Sequence, residues 1–528
     1  MTLLRGFLRL LRDSLFGVEK PTPKTTVTKR SEEKSRAGQV KSFKPAPAEK
    51  TAAEPSSQAI APSETKEKTA VDQETPVPLP MSGPLIKSKK EKIYIQVGLD
   101  FGTSCTKVVF SQIGRRYARA IDFGFHLPHY PSYCLPSVAA VNDKGRLTLG
   151  IEAAQSLLDK TWDTGFQRFK VIVAGQEDSR FSDSYSGERF HEYKRQYRLD
   201  DTFTPERMTA IYLAYAMNLC RRIIKGQPEY RDNEIDMAFN ICMPIDHMQN
   251  SRVRTTFESV FEWAERIEQK WAFVKDKHDL ISTSYLVEKE RFEDGKRVHS
   301  VPEAVASIAS YIVSLRKQEG IHAVIDLGAG TTDISICNLM NPFGEYKNYW
   351  YAAKNLPFGT TKVERMIAEW MGSSGKTCSC MTVLDCLMSL KKQPRDVQER
   401  VRNELIEFKK SNAYYRTWGD AYKHLTKQTE WEKAEVFLCG GGSNLPHVDN
   451  IFSFPWWKEL KVKYNVSRLP VPEDYKSTNI PIDRVSVAYG LSYPIPELEA
   501  YVLPDDSPNH TPPIIRAPER DPDNWYPP

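Results

Sequence analysis

The chain lacks several things that would have settled its class at once. None of its 528 residues belong to an apolar run near the roughly 20 residues a membrane span needs, so an integral membrane protein is not expected. A formal net charge of +5 is small for this length and does not by itself point to nucleic acid. The nine cysteines have no framework spacing, which suits a reducing compartment and a cytoplasmic protein. Cys378-Ser-Cys380 with Cys386 has no matching Cys or His pair, so it reads as a plain surface segment rather than a metal site. Aromatic residues are almost missing between Glu19 and Glu91, where Pro, Ser, Thr, Ala, Lys and Glu dominate. Such a stretch cannot bury enough apolar area to offset its ordering entropy, so residues 19–91 read as a disordered linker. The first 18 residues lack the clean apolar core of a secretory signal, because Arg5, Arg9 and Arg12 interrupt it. Leu4, Phe7, Leu8, Leu11 and Leu15 instead follow one helical face. Residues 1–18 are therefore expected to be an amphipathic basic helix, docking a protein partner or lying peripherally on an anionic membrane.

What the chain does have is three glycine-rich loops, each closing an apolar strand-like run. The first is Ile95-Gln-Val-Gly-Leu-Asp100-Phe-Gly102-Thr103-Ser104-Cys-Thr-Lys107. The second is Ala323-Val-Ile-Asp326-Leu-Gly328-Ala-Gly330-Thr331-Thr332-Asp333. The third is Val436-Phe-Leu-Cys-Gly440-Gly441-Gly442-Ser443. One glycine loop marks any tight turn. Three in order, two of them with Asp before the glycines and Thr after, point to phosphate and hence to ATP.

The folded body is expected over residues 92–496, with a disordered Pro- and Asp-rich tail over 497–528. Strand-like runs at Ile93 to Leu99, Lys107 to Ser111, Asp236 to Met243, His322 to Asp326, Asp333 to Cys337 and Glu435 to Leu438 are separated by helical stretches. The clearest of these are Pro205 to Lys225, Arg252 to Glu268, Pro302 to Lys317 and Asp396 to Asn412. Strands alternating with helices predict an α/β fold with helices on both sheet faces. The aromatic and basic run Arg180 to Arg198, diluted by Asp183, Glu188 and Glu192, predicts a surface β-hairpin rather than a nucleic-acid site.

A strand–turn–strand hairpin with Gly and Thr at its tip presents backbone N–H groups to an anion. Gly102 and Gly328 with Gly330 allow close approach, while Thr103, Ser104, Thr331 and Thr332 add hydroxyls. Asp100 and Asp326 would repel phosphate unless a cation intervenes, so both read as Mg²⁺ ligands acting through water. Asp333 reads as a base or as a further member of the cation's network. Gly440, Gly441 and Gly442, followed by Ser443, form a platform for the adenosine.

The three segments resemble the first phosphate, second phosphate and adenosine loops of the actin, Hsp70 and sugar-kinase superfamily, most closely an Hsp70-like nucleotide-binding domain. The resemblance covers residues 93–496. It implies a two-lobed fold of duplicated mixed-sheet domains, with flanking helices around a central nucleotide cleft. Gly165-Phe-Gln-Arg-Phe-Lys170 is similar to the segment that supplies a phosphate-contacting lysine, which implies that role for Lys170. Val301-Pro-Glu303 resembles the helix whose Glu orients the attacking water, although the Pro-Glu order is reversed from the chaperones. Leu356-Pro-Phe-Gly359 looks like the second connecting segment, and Glu407-Phe-Lys-Lys410 like the ribose- and adenine-holding helix. Taken bottom-up, Glu407 and Lys410 are equally a solvated i, i+3 pair.

Lys107 departs from the chaperones and sits where actin-like members carry a phosphate-binding lysine. About thirty residues follow Pro496, so a peptide-binding domain is not expected. The leading expectation is thus a magnesium-dependent, slowly hydrolysing, chaperone-like ATPase switch that acts on a protein partner. The alternative is an actin-like protein that self-assembles into filaments when ATP-bound. A small-molecule kinase ranks last, because no separate loop supplies an acceptor-binding Asp.

Overall fold

The computed structural model describes residues 92–115, 117–142, 146–160, 165–177, 187–196, 199–200, 203–271, 281, 283–284, 287, 297–341, 346–376, 378–498 and 501–504. The chain divides into residues 1–85 and 86–528, and every described residue lies in the second unit. The helix expected at 1–18, the linker to residue 91 and the tail beyond 504 lie outside the described residues.

Two sheets of the same design organise the second unit. The first contains β1 (Lys92–Phe101), β2 (Cys105–Gln112), β3 (Ala118–Ala120), β4 (Leu135–Pro136), β8 (Glu234–Met243) and β9 (Val298–Pro302). Between β4 and β8 a small separate sheet holds β5 (Val138–Val141), β6 (Leu147–Leu149) and β7 (Phe166–Gln167). The second large sheet holds β10 (Gly320–Leu327), β11 (Thr332–Met340), β12 (Lys347–Leu356), β13 (Glu435–Cys439), β14 (Asn465–Ser467) and β15 (Tyr501–Val502). The first runs β3-β2-β1-β8-β9 and the second β12-β11-β10-β13-β14, each with two antiparallel and then two parallel pairings. Each is thus a hairpin extended by a third antiparallel strand on one side and two parallel strands on the other.

Burial follows from the patterns that suggest these elements. The middle of β1 and of β10 is buried on both faces, as a sheet covered on both sides requires. On one face of the first sheet lie the helices Pro205–Gly226 and Ser251–Gln269, started by Thr204 and Asn250 whose side chains accept from backbone N–H groups. The second sheet rests one face on the helices Thr360–Ser373, Arg395–Lys410 and Asn412–Tyr422, with Trp418 and Trp431 at the centre of that core. Its other face packs against Glu303–Ile312, the helix that leads from β9 into β10. The returning helix Ile482–Leu491 crosses it so closely that a Cβ on Gly490 would come 2.1 Å from the Ala306 carbonyl oxygen. The fold is therefore α/β with mixed sheets and many helices, as expected.

Three local expectations fail. Residues 187–196, inside the run read as a hairpin, form a helix whose Phe190 is buried against Phe166 and Phe203. Burial of one aromatic anchor at helical register outweighs the strand preference of the other aromatics. The helix expected from Pro302 to Lys317 stops at Ile312, and the Tyr311 hydroxyl then accepts the Gln318 N–H at 2.8 Å. The body also continues past residue 496: Ile495–Leu498 is helical, and Tyr501–Val502 adds a parallel strand beside Asn348–Tyr349. Among the described residues no helix is long and apolar enough to cross a membrane.

Candidate functional site

Both hairpins end at one cavity of about 240 Å³. The β1–β2 turn brings Gly102, Thr103 and Ser104 to its wall, and the β10–β11 turn brings Gly328 and Thr331. The tips touch: a Cβ on Gly330 would lie 2.8 Å from Thr103 Cγ2, so only glycine lets the second tip approach the first this closely. The third loop supplies Gly440 and Gly441. Gly440 has φ +79°, and a Cβ there would lie 2.1 Å from Asp326 Oδ1, so this position excludes a side chain on two counts.

Sheet register decides which charges meet. On the first hairpin Asp100 stands opposite Lys107, whereas on the second Asp326 stands opposite Asp333. Lys107 Nζ donates to Asp100 Oδ2 at 2.8 Å. Burial opposes the Lys107 charge, but the Asp100 carboxylate outweighs it and holds the pKa above the ordinary lysine value. Lys170 behaves likewise: burial works against it, and Glu303, whose Oε2 it meets at 2.5 Å, raises it well above the usual range.

Among the described residues no cationic side chain forms an ion pair with Asp326 or Asp333 of the second hairpin. Burial first, and the Glu303 charge next, push Asp326 up to about 6. Burial and Glu303 also raise Asp333 well above the carboxylate range, against the amide of Asn355, which donates to its Oδ1 at 2.8 Å. The neighbouring lysines are already committed to Asp100 and Glu303. Two facing carboxylates, both biased toward protonation by burial, are a donor set that fits a hard divalent cation. Asp100 needs that cation less than its sequence context suggests, because Lys107 already neutralises it. Its other oxygen accepts the Cys242 S–H at 3.6 Å, and burial keeps that thiol protonated. Asp100, Cys242 and Glu303 bring one ligand atom each within 4.8 Å of one another, a separate grouping that does not include Asp326 or Asp333.

The residues singled out from sequence fall into three groups. Asp100, Gly102, Thr103, Ser104, Lys107, Lys170, Glu303, Asp326, Gly328, Thr331, Asp333, Gly440 and Gly441 line the cavity. Gly330, Thr332, Gly359, Gly442 and Ser443 stand behind it. Thr332 Oγ1 donates to the Phe358 carbonyl at 2.7 Å, Ser443 Oγ to that of Gly440 at 2.9 Å, and the backbone after Gly359 donates to the carbonyls of Gly328 and Ala329. Gly442 lies against the Leu327 side chain. Glu407 and Lys410 are not among the cavity-lining residues. They form a 3.6 Å pair with side chains 69% and 40% exposed, so the solvated-pair reading describes them. Lys409 between them is the buried one, donating to the carbonyls of Ile451 and Phe454.

Sequence reasoning missed Arg484, Arg168, His129 and Cys134, which also line the cavity. Arg484 sits on the returning helix and lies against Gly441. Arg168 and His129 adopt left-handed backbone, at φ 60° and 66°. Non-glycine residues in that conformation concentrate at functional sites, but φ cannot be read from a side-chain pattern. The segment before β5 carries no periodic signal, which is why its contribution of His129, Tyr130 and Cys134 was not foreseen. The expected plain surface around Cys378 is likewise corrected, because Cys380 opens a helix, Cys380–Met388, that faces the cavity. No protein-family model matches the sequence, and no curated protein matches it.

Proposed function

We propose that the protein is a magnesium-dependent ATP-binding protein of the actin/Hsp70-like kind, with two lobes around a central nucleotide cleft, that hydrolyses ATP slowly to switch state. One observation carries this reading. Two Asp-x-Gly hairpins, on sheets that share a five-strand order, touch at their tips and share a cavity with a third glycine loop. Gly102, Thr103, Ser104, Gly328 and Thr331 bind the phosphates through backbone N–H and hydroxyl groups. Gly440 and Gly441 take the adenosine, with the Arg484 guanidinium beside them. Asp326 and Asp333, with Asp100 near, would hold Mg²⁺ through water, and the ion would supply positive charge that offsets the phosphates.

Lys170 reaches the transferring phosphoryl group, and Glu303 orients the attacking water. Their ion pair explains slow turnover. While Lys170 holds Glu303, the carboxylate's capacity to accept from water is partly spent. ATP bridging the hairpins draws the lobes together, and loss of the γ-phosphate releases them. Partner recruitment is assigned to residues 1–18, through protein docking or peripheral membrane contact. Removing residues 1–90 should leave ATP binding intact and abolish recruitment.

Lys107 at the cavity wall supports a second reading, an actin-like protein that polymerises in the ATP state. Hydrolysis per molecule as a function of protein concentration separates the two. A constant slow rate supports the monomeric switch, and a rate rising steeply above a threshold concentration supports the filament. No Mg-ATP hydrolysis above that of Asp326→Ala at any concentration would refute both.

A further inference from the structure

The segment before β5 places a second thiol beside the first phosphate loop. Cys105 opens β2 directly after the Gly102–Ser104 turn, and β4 pairs with it antiparallel, Cys105 opposite Pro136 and Thr106 opposite Leu135. Cys134 directly precedes β4 and so lies beside the start of β2, at the end of a turn closed by its own N–H on the Pro131 carbonyl at 2.8 Å. Both are free thiols that line the cavity, Cys134 buried and Cys105 half-buried, and each perturbs the ionisation of the other as neighbouring thiols do. Cys220, Cys242, Cys337 and Cys439 are buried as well but do not line the cavity.

We propose that Cys105 and Cys134 are a redox-active dithiol in the cavity wall, oxidised by a hydroperoxide to an internal disulfide that weakens nucleotide binding. The last clause rests on the nucleotide reading above; the disulfide does not. Cys134 is the attacking sulfur. The Cys105 thiol donating to it, with Lys107 and Arg484 close by, draws its pKa below the ordinary cysteine value against the effect of burial. The Cys134 thiolate attacks the peroxide oxygen and the O–O bond breaks. A sulfenic acid forms on Cys134, and the leaving oxygen takes up a proton. The Cys105 sulfur then attacks the Cys134 sulfur, the S–O bond breaks, and water leaves with the Cys105 proton. Two thiols and one hydroperoxide thus become one disulfide, water and the corresponding alcohol, or a second water for hydrogen peroxide.

Closing the bond sets the sulfurs about 2.05 Å apart. Two walls of the cavity feel it. The Cys105 carbonyl oxygen lies where a Cβ on Gly102 would meet it at 2.4 Å, so any shift of Cys105 moves the first phosphate loop. Arg484, whose guanidinium lies beside Gly441 of the third loop, loses the nearby negative charge of the Cys134 thiolate.

The test treats the full-length chain with limiting hydrogen peroxide, alkylates the remaining thiols and maps peptides without reduction. The expected result is a Cys105–Cys134 linked peptide that dithiothreitol reverses, absent in Cys134→Ser and in Cys105→Ala, and unchanged in Cys220→Ser. Both thiols remaining alkylatable in the folded, peroxide-treated protein would overturn the proposal, as would linkage to other cysteines only. A fluorescent ATP analogue with Mg²⁺ reads the second half. Oxidised wild type should bind at least tenfold more weakly than reduced, and Cys134→Ser should be indifferent to peroxide. A mapped disulfide with unchanged affinity would overturn the coupling. A mapped disulfide in a protein that binds no nucleotide in either state would overturn the coupling and the nucleotide reading, and leave the dithiol standing.

Discussion

The two hairpins share topology and a glycine tip, yet they solve the same electrostatic problem in opposite ways. On β1–β2 the buried Asp100 faces Lys107 and is neutral as a pair. On β10–β11 the buried Asp326 faces Asp333, and both are pushed toward protonation. A buried charge without a partner costs several kcal/mol unless it is protonated or meets a cation from outside. The first hairpin is therefore neutralised from within, whereas on the proposed reading the second is completed by an ion. A single residue type at one register position, Lys107 against Asp333, makes the difference.

The sharpest way to break this contrast is to remove the built-in cation. Lys107→Met should destabilise the protein by about 3 kcal/mol, because it strands the Asp100 carboxylate. Urea unfolding measures it, and adding Asp100→Asn to the same chain should recover most of the loss. The matching change on the second hairpin should have the opposite sign. Asp326→Asn should stabilise the metal-free protein by about 1–3 kcal/mol at pH 7.5. The sign follows from the raised pKa. Ionising Asp326 costs stability as pH climbs from its unfolded value near 4 to its folded value of about 6, so the gain should vanish below about pH 4. Without Mg²⁺, unfolding curves at pH 7.5 and pH 4 would show it.

Gly440→Ala sharpens the comparison from the third loop. A methyl group there collides with Asp326 and with the Leu327 carbonyl, both on the second hairpin. It should cost about 1–2 kcal/mol and weaken Mg²⁺ dependence, while leaving the Lys107–Asp100 pair intact. The smallest effect is that of pH on cation affinity. Protonation of Asp326 below about pH 6 should lower Mg²⁺ affinity about tenfold between pH 7.5 and pH 5, with proton release on binding seen by calorimetry in two buffers.

The α/β class and six strand positions were legible because strand alternation and glycine punctuation are local signals. Nine of the residues singled out line the cavity from the two hairpins and two more, Gly440 and Gly441, from the third glycine loop, all placed by local signals, whereas Lys170 and Glu303 were legible only through the family resemblance. The meeting of the two tips, Gly330 against Thr103, is a contact across 227 positions that no local pattern encodes. Lys107 was legible as a phosphate-type lysine but not as the partner of Asp100, because that depends on the register of the turn. Arg484 and Cys134 reach the cavity from segments whose own patterns report only a helix and a turn. Glu407 and Lys410 show the reverse failure. A motif-like spacing on a helix carried no information about which way that helix faces.

The central claim is that the three glycine loops form one Mg-ATP site whose cation is held by the second hairpin. Equilibrium titration of Mg-ATP into wild type and Asp326→Asn, with unfolding curves showing both to be folded, tests it most directly. The account predicts saturable one-to-one binding that requires Mg²⁺ in the wild type and falls at least a hundredfold in the variant. Equal binding by both, or none by the folded wild type at millimolar Mg-ATP, would contradict it.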